Sequence, residues 1–194
     1  MSYALVTGAA KGIGKAIATE LAKRNYNLIL VDVDQQALSA VAGYLAGKYS
    51  VDVQHLHIDL SEEDAVEKII ATTRPFHDQL NTVVNNAGYG LNVAFEKSNL
   101  DEQLNIIDVN VRATVKLSHA FIPVLKRFKR LYLLNVGSTT AYQTVPYLNI
   151  YAATKAFILS FTRGLRYELK DSCFRKLSLP RKYRYRFCKT GTNE

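Results

Sequence analysis

The sequence contains few cysteines, no long apolar run, and no internal repeat or low-complexity segment. Its two cysteines, Cys173 and Cys188, are too few for a disulfide framework and lack the paired spacing of a zinc site. No apolar stretch approaches the roughly 20 residues that cross a bilayer. Met1-Ser2-Tyr3 leads into an apolar run without the basic start of a signal peptide. These absences predict reduced thiols, no metal site, no contact with a membrane and a cytoplasmic location.

Basic residues outnumber acidic ones, but most of the excess lies at the end of the chain. The formal net charge is +8, and residues 170–194 hold eight Lys or Arg against two acids, which is +6 of that total. The remaining 17 basic and 15 acidic residues nearly balance. This distribution gives no reason to expect a nucleic-acid partner. It divides the chain into one globular domain, residues 1–170, and a divergent basic tail, residues 171–194.

Five short apolar runs, each suited to a buried strand, alternate with helical patterns along the first 170 residues. The strands are predicted at Tyr3–Thr7, Asn27–Asp32, Val51–Ile58, Leu80–Val84 and Leu131–Val136. The helices are predicted over residues 12–24, 34–48, 61–76, 98–129 and 149–169. Ser61 is the expected N-cap of the third helix, and Pro123 the expected kink or stop of the fourth.

This alternation predicts an α/β fold: a doubly wound parallel sheet of the Rossmann type, in a single three-layer αβα domain. In such a sheet, ligands bind outside the carboxyl ends of the strands, where the strand order reverses between the first and fourth strands. We therefore expect the polar residues that follow the strands to meet at one edge of the sheet.

A glycine-rich turn follows the first strand and opens the first helix. Gly8, Gly12 and Gly14 allow a tight turn, close approach of the backbone to a pyrophosphate, and close helix packing. The helix start adds unpaired N–H groups and a positive dipole end. Strand, glycine turn and helix in this order predict a dinucleotide site that includes Lys11 and Ile13 of the turn.

The second strand ends at Asp32, whose carboxylate is well placed to accept hydrogen bonds from the 2′-hydroxyl of an adenosine ribose. Because this carboxylate would repel a 2′-phosphate, Asp32 favours NAD over NADP. Lys11 favours NADP more weakly, since a cation near the ribose can pair with that phosphate. The alternative interpretation is that Lys11 is solvated and Asp32 caps a turn.

Tyr151 and Lys155 lie four residues apart in a predicted helix and therefore share one face. A free tyrosine has a pKa of about 10, and a neighbouring cation typically lowers such a pKa by about 1–3 units. Tyr151 could then exchange a proton with an alcohol or carbonyl oxygen that Ser138, at the end of the fifth strand, holds in place. Since this spacing is also common on amphipathic helices, the pair alone leaves a structural interpretation open.

Two further features lie between these motifs. Asn85-Asn86-Ala87-Gly88 follows the fourth strand, where two small residues after two amides leave room for a flat ring or a ribose. A plain turn is the alternative. Asn110 lies in the middle of the predicted fourth helix, where asparagine has poor helix propensity and needs a compensating contact.

Together these motifs resemble those of the short-chain dehydrogenase/reductase family over residues 3 to about 170. The family's Thr-Gly-x-x-x-Gly-x-Gly pattern stands at Thr7–Gly14, its Asn-Asn-Ala-Gly at Asn85–Gly88 and its Tyr-x-x-x-Lys at Tyr151–Lys155. Ser138 stands where the family has its catalytic serine. The resemblance implies an NAD(P)(H)-dependent oxidoreductase that interconverts a small-molecule secondary alcohol and a carbonyl, and that self-associates as a homodimer or tetramer.

The resemblance also implies a role for each matching residue. Tyr151 would be the general acid/base, Lys155 would lower its pKa and bind the nicotinamide ribose, and Ser138 would bind and orient the substrate oxygen. Asn110 would stabilise a helix kink and help to relay protons through water. The implied cofactor site, with the adenine at Asp59 and the Leu60 backbone, consists of Gly8, Lys11, Gly12, Ile13, Gly14, Asp32, Asp59, Leu60, Asn86, Ala87, Gly88, Tyr151 and Lys155.

Members of this family continue with a sixth strand that ends in a Pro-Gly turn and with a seventh strand, whereas residues 171–194 contain no Pro-Gly pair. Loss of those strands would leave a sheet edge open and impair activity, so the alternative function is a catalytically silent dinucleotide-binding protein. Three interpretations of the tail follow, in order of preference. It is a truncation or a shifted reading frame, or a strand at Tyr183–Phe187 that covers the open edge, or a contact for single-stranded nucleic acid.

Overall fold

Five parallel strands form one sheet in the part of the chain that the structure describes. In the computed structural model, which describes residues 1–169, the strand order is β3-β2-β1-β4-β5. The strands are β1 (Tyr3–Thr7), β2 (Asn27–Asp32), β3 (Val53–His57), β4 (Leu80–Asn85) and β5 (Tyr132–Asn135). Central strands β1, β2 and β4 are buried along nearly their whole length, as expected for parallel strands covered on both faces.

Within the described part of the chain, six helices flank the sheet. They are α1 (Gly12–Lys23), α2 (Gln35–Tyr49), α3 (Ala65–Thr73), α4 (Leu100–Ile107), α5 (Ala113–Leu125) and α6 (Asn149–Glu168). One face of the sheet packs against α1 and α2, and the other packs against α3 and α5, with Leu165 of α6 joining that second core. No helix within residues 1–169 is both long and apolar enough to cross a membrane.

The reversal of strand order lies between β1 and β4. Leu5 of β1 pairs with Ile29 of β2 on one side and with Val83 of β4 on the other. The chain therefore adds β2 and β3 on one side of β1 and then crosses over to add β4 and β5 on the other. The predicted α/β, doubly wound, three-layer fold is therefore confirmed. The expected division at residue 170 stays a prediction, and the strand predicted at Tyr183–Phe187 lies outside the described residues.

The predicted cap of the third helix was wrong. Ser61 donates hydrogen bonds backward, from its N–H at 2.9 Å and from its hydroxyl at 2.8 Å, to the Oδ1 atom of Asp59. The carboxylate thus uses the donors of Ser61 in a local turn, and α3 begins only at Ala65. Helical backbone does continue to Phe76, as predicted, but its last three residues, Arg74–Phe76, form a 3₁₀ helix that contains Pro75.

The single long helix predicted over residues 98–129 was also wrong. The segment consists of α4, a π-helical turn at Asp108–Arg112, and α5. Asn99 begins α4, because its Oδ1 accepts from the N–H groups of Asp101 and Glu102 at 2.8 and 3.3 Å. Pro123 lies inside α5, which ends two residues later at Leu125. The π-helical turn contains Asn110, and such turns occur frequently at functional sites.

Candidate cofactor and active site

A cavity of about 710 Å³ opens at the carboxyl ends of the strands. Residues from the turns after all five strands line it, together with residues of α4, the π-helical turn and α6. Among the residues predicted to bind the cofactor, those that line this cavity are Gly8, Lys11, Gly12, Ile13, Asp32, Asp59, Leu60, Asn86, Ala87, Gly88, Tyr151 and Lys155. The structure thus brings residues distant in sequence to one cleft, as expected at a reversal of strand order.

The glycine turn leaves open space where a pyrophosphate could lie. Gly8 and Gly12 have φ angles of +64° and +53°, and a Cβ on Gly12 would meet no atom within 4 Å. Gly14 does not line the cavity but packs behind it, since a Cβ there would lie 1.9 Å from the Gly8 carbonyl oxygen. The start of α1 faces the glycine turn, and the first helical turn of α1 contains no acidic residue. The residues present therefore fit a phosphate group.

Thr7 and Asn86 join the glycine turn to the turn after β4. The Thr7 hydroxyl accepts hydrogen bonds from the N–H groups of Asn86 and Ala87 at 3.0 and 3.1 Å. The Asn86 side-chain amide donates to the carbonyl oxygens of Thr7 and Gly8, both at 3.0 Å. These bonds hold together the two walls of the cavity at the reversal of strand order.

Asp32 is held by two backbone hydrogen bonds. Its Oδ2 accepts from the Ala10 N–H at 2.9 Å, and its Oδ1 accepts from the Asp34 N–H at 3.0 Å. Asp32 therefore does cap a turn, which was the alternative interpretation of the sequence. Its carboxylate also contacts the glycine turn. Lys11 is not simply solvated, because its ammonium forms an ion pair of 2.6 Å with Asp34.

Tyr151 and Lys155 lie one turn apart in α6, as predicted, and both line the cavity. Lys155 is only 5 % exposed, and its Nζ lies 5.6 Å from the centre of the Tyr151 ring. The ammonium donates to the Val136 carbonyl oxygen at 3.2 Å. Burial lowers the pKa of Lys155 to about 8, and no carboxylate of residues 1–169 forms an ion pair with it.

Asn110 lies behind the cavity wall rather than in it. Its Oδ1 accepts from the Tyr89 N–H at 3.0 Å, and its Nδ2 donates to the Tyr89 carbonyl oxygen at 2.9 Å and to the Thr154 hydroxyl at 3.0 Å. Thr154 in turn donates to the Tyr151 carbonyl oxygen at 2.7 Å. Asn110 therefore connects the turn after β4 with the first turn of α6.

Glycines bring the turn after β4 against these side chains. A Cβ on Gly88 would lie 2.7 Å from Asn110 Oδ1 and 3.3 Å from Lys155 Nζ, and a Cβ on Gly90 would lie 2.7 Å from the Tyr151 Cβ. Gly88, one of the two small residues noted in the sequence, and Gly90 therefore allow close packing on the lysine and tyrosine of α6.

Ser138 lies next to the cavity but does not line it. It is the N-cap of a short 3₁₀ helix, Thr139–Tyr142, and its Oγ accepts from the Thr140 N–H at 3.2 Å and the Thr140 hydroxyl at 2.9 Å. The neighbouring Gly137 does line the cavity. The Ser138 hydroxyl retains its own proton, with which it could donate to a substrate oxygen.

Sequence reasoning missed several residues of the cavity, which are Val33, Asp34, Ile58, Tyr89, Asn105, Val109, Val136 and Gly137. Most of them are direct neighbours of predicted site residues, so adjacency was an available signal. Asn105 is different because it lies on α4, from which its Nδ2 donates to the Tyr89 hydroxyl at 3.0 Å. No group of three or more His, Cys, Asp or Glu side chains within residues 1–169 is arranged to hold a metal ion.

A doubly wound parallel sheet with a glycine turn after its first strand, and a cleft at the reversal of strand order, defines the class of dinucleotide-binding α/β proteins. The model of one family within that class matches residues 2–174. The chain belongs to the short chain dehydrogenase family.

The relatives and solved structures agree with this assignment. A very-long-chain 3-oxoacyl-CoA reductase from Coprinopsis cinerea is 34 % identical over 172 residues, which are 87 % of this chain and 50 % of that relative. The chain therefore spans about half the length of that reductase. The bulky-bulky ketone specific alcohol dehydrogenase from Comamonas testosteroni superposes with a TM-score of 0.86 at 28 % identity, over 93 % of this chain and 74 % of that one. A short-chain dehydrogenase from Sphingobium yanoikuyae in complex with NADPH gives a TM-score of 0.84 at 29 % identity, over 90 % and 68 %.

Proposed function

We propose that the chain is an NAD(P)(H)-dependent oxidoreductase that interconverts a secondary alcohol and a carbonyl. The observation that carries the proposal is a single cavity lined by the glycine turn, Asp32, Tyr151 and Lys155. A dinucleotide whose pyrophosphate lies at the glycine turn would extend towards α6 within this cleft. Membership of the short chain dehydrogenase family supports the same chemistry.

When bound, the nicotinamide ring supplies or accepts the hydride. In reduction, the Tyr151 phenol gives its proton to the substrate oxygen, and in oxidation the phenolate takes it back. The ammonium of Lys155 stabilises the phenolate and binds the ribose hydroxyls, while Ser138 donates a hydrogen bond to the substrate oxygen. Asn110 positions the turn after β4 against α6 and helps relay protons, a role that the family resemblance implies.

We propose NAD as the preferred cofactor and NADP as the second. Asp32 supports NAD, because its carboxylate faces the glycine turn and would repel a 2′-phosphate. NADPH is bound in the related dehydrogenase from Sphingobium yanoikuyae, which supports keeping both cofactors in every assay.

The related proteins suggest the substrates to assay first. One relative is named as a very-long-chain 3-oxoacyl-CoA reductase, and one structural neighbour as a bulky-bulky ketone specific alcohol dehydrogenase. Both names describe a reducible ketone with large substituents. We therefore propose ketones and 3-oxoacyl thioesters as the first panel.

The test combines cofactor binding with turnover for the wild type and for Tyr151→Phe. We expect wild-type turnover on the panel, a loss of at least about 100-fold in Tyr151→Phe, and cofactor affinity that changes little, because only the phenol hydroxyl is removed. Tyr44→Phe, which removes a hydroxyl from an exposed position of α2, is the matched control and should retain turnover. Equal turnover in Tyr151→Phe would reject the assigned role.

The same titrations decide between the proposed enzyme and the alternative function. Binding of NADH or NADPH by the wild type without turnover of any panel member would support a catalytically silent dinucleotide-binding protein. Absence of binding of either cofactor would contradict both.

A further inference from the structure

Three charged side chains lie together at the end of the cavity where the adenosine ribose is expected. Asp32 is the last residue of β2, Asp34 begins the next helix as its N-cap, and Lys11 lies in the glycine turn. The Lys11 ammonium is 2.6 Å from Asp34 Oδ2. This ion pair lowers the pKa of Asp34 and raises the pKa of Lys11. With Lys11 paired to Asp34, the three side chains carry a net charge of −1, and the Asp32 carboxylate accepts hydrogen bonds from backbone N–H groups.

Asp34 is the fixed partner of this ion pair. Its second oxygen, Oδ1, accepts from the Ala37 N–H at 3.0 Å, so that Asp34 is the N-cap of α2. The side chain of Asp34 is 35 % exposed, whereas that of Lys11 is 75 % exposed. The helix cap therefore holds the carboxylate in place, and the longer, more exposed lysine side chain extends to meet it.

A 2′-phosphate would need this same lysine. A phosphate monoester carries about −1.5 to −2 charges at neutral pH, and it would have to lie near Asp32 and Asp34. Shared between Asp34 and the phosphate, the Lys11 ammonium would compensate less of that charge, and leaving Asp34 would expose a second carboxylate to the phosphate. A ribose 2′-hydroxyl carries no charge, so its binding does not require the ion pair to open.

We propose that Asp34 is a specificity-determining residue that disfavours NADP(H) by holding Lys11 in an ion pair. The inference rests on the proposed binding of a nicotinamide dinucleotide in this cavity. This role differs from the one expected for Asp32. Asp34 acts by forming an ion pair with the Lys11 ammonium, whereas Asp32 would accept a hydrogen bond from the ribose. NAD preference then depends on two carboxylates with separate roles.

The test is Asp34→Asn, which removes the charge and keeps a side chain that caps helices as well as aspartate does. Fluorescence titration with NADPH and NADH gives the ratio of the two dissociation constants. A structural change in the loop that weakens the binding of both cofactors equally leaves this ratio unchanged. We expect the ratio Kd(NADPH)/Kd(NADH) to fall about fivefold, near the upper end of what an exposed ion pair contributes. The change should shrink in high salt, because these charges are exposed and therefore screened.

The substitution Lys11→Met is made both in the wild type and in Asp34→Asn. In Asp34→Asn, the lysine substitution should return the ratio towards the wild-type value, whereas in the wild type it should change the ratio less, because Lys11 is already paired. An unchanged ratio in Asp34→Asn, or a fall that persists in the double variant, would overturn the inference and leave the proposed function intact. Binding of neither cofactor by the wild type would overturn both.

Discussion

Lys155 is a cation placed where a lysine is costly to bury. Lys155 is 5 % exposed, and its ammonium donates a hydrogen bond to the Val136 carbonyl oxygen. Burial lowers the pKa of Lys155 to about 8. The spacing of Tyr151 and Lys155 could be predicted from the sequence, because residues four apart share a helix face. The burial could not be predicted, because it depends on the turn after β4, whose Gly88 lies against the ammonium.

This burial predicts a pH dependence of stability. Lys155 has a folded pKa of about 8 and an ordinary value of 10.5, so between these values the unfolded chain binds more protons than the folded one. The free energy of unfolding should therefore rise with pH across that window, by about 3 kcal/mol from this residue. Below pH 8, Lys155 is protonated in both the folded and the unfolded chain. Burial of its charge then lowers the free energy of unfolding.

The measurement is urea unfolding of the wild type and Lys155→Met between pH 7 and pH 10. Lys155→Met keeps an apolar side chain of similar length, so it should be more stable than the wild type near pH 7, and the difference should vanish towards pH 10. Since other titrating groups are common to both proteins, the difference isolates Lys155. A constant difference across this range would show that the ammonium is not buried in this way.

The π-helical turn at Asp108–Arg112 is the element that joins the two halves of the candidate site. Asn110 was correctly marked in the sequence as a residue that needs a compensating contact, and its three side-chain bonds to Tyr89 and Thr154 supply that contact. The turn itself could not be predicted. A π-helical turn shifts the apolar pattern by only one residue, and a long amphipathic helix tolerates such a shift.

Helix α4 presents an exposed apolar stripe. Leu100, Leu104 and Ile107 lie at helical spacing and are 63, 48 and 37 % exposed. Contiguous exposed apolar residues on a helix commonly mark an interaction surface. We propose that this stripe contributes to self-association of the chain, consistent with the homodimer or tetramer that the family resemblance implies.

Leu104→Glu tests this surface. In a twofold symmetric contact each substitution acts twice, so one carboxylate per copy should shift the assembly to monomer, as measured by sedimentation velocity at several protein concentrations. Tyr44→Glu places the same charge at an exposed position of α2 and should leave the assembly intact. A wild type that sediments only as monomer would contradict the proposal.

At the scale of the whole molecule, the sequence predicts the architecture better than the connections within the cleft. Parallel strands place their carboxyl ends at one edge, so the meeting of Gly8, Asp32 and Asn86 followed from strand order alone. The ion pair of Lys11 with Asp34 could not be found in this way. It depends on side-chain reach across a turn, which periodicity and motif spacing do not encode.

The incorrect helix boundaries have the same origin. Ser61 was expected to accept from the first N–H groups of the third helix, but its own N–H and hydroxyl donate to Asp59, and α3 begins only at Ala65. Local patterns predict that a helix exists, whereas its first and last turns depend on which neighbour takes each hydrogen bond.

The proposed function requires that a hydride pass directly between a nicotinamide and a carbinol carbon in this cavity. It is tested most directly with a reduced cofactor deuterated at its transferable position and a ketone from the substrate panel, followed by mass spectrometry and NMR of the alcohol. We expect deuterium bound to the carbinol carbon in proportion to the cofactor oxidised. Alcohol without deuterium at that carbon, or cofactor bound with no alcohol formed, would contradict the account.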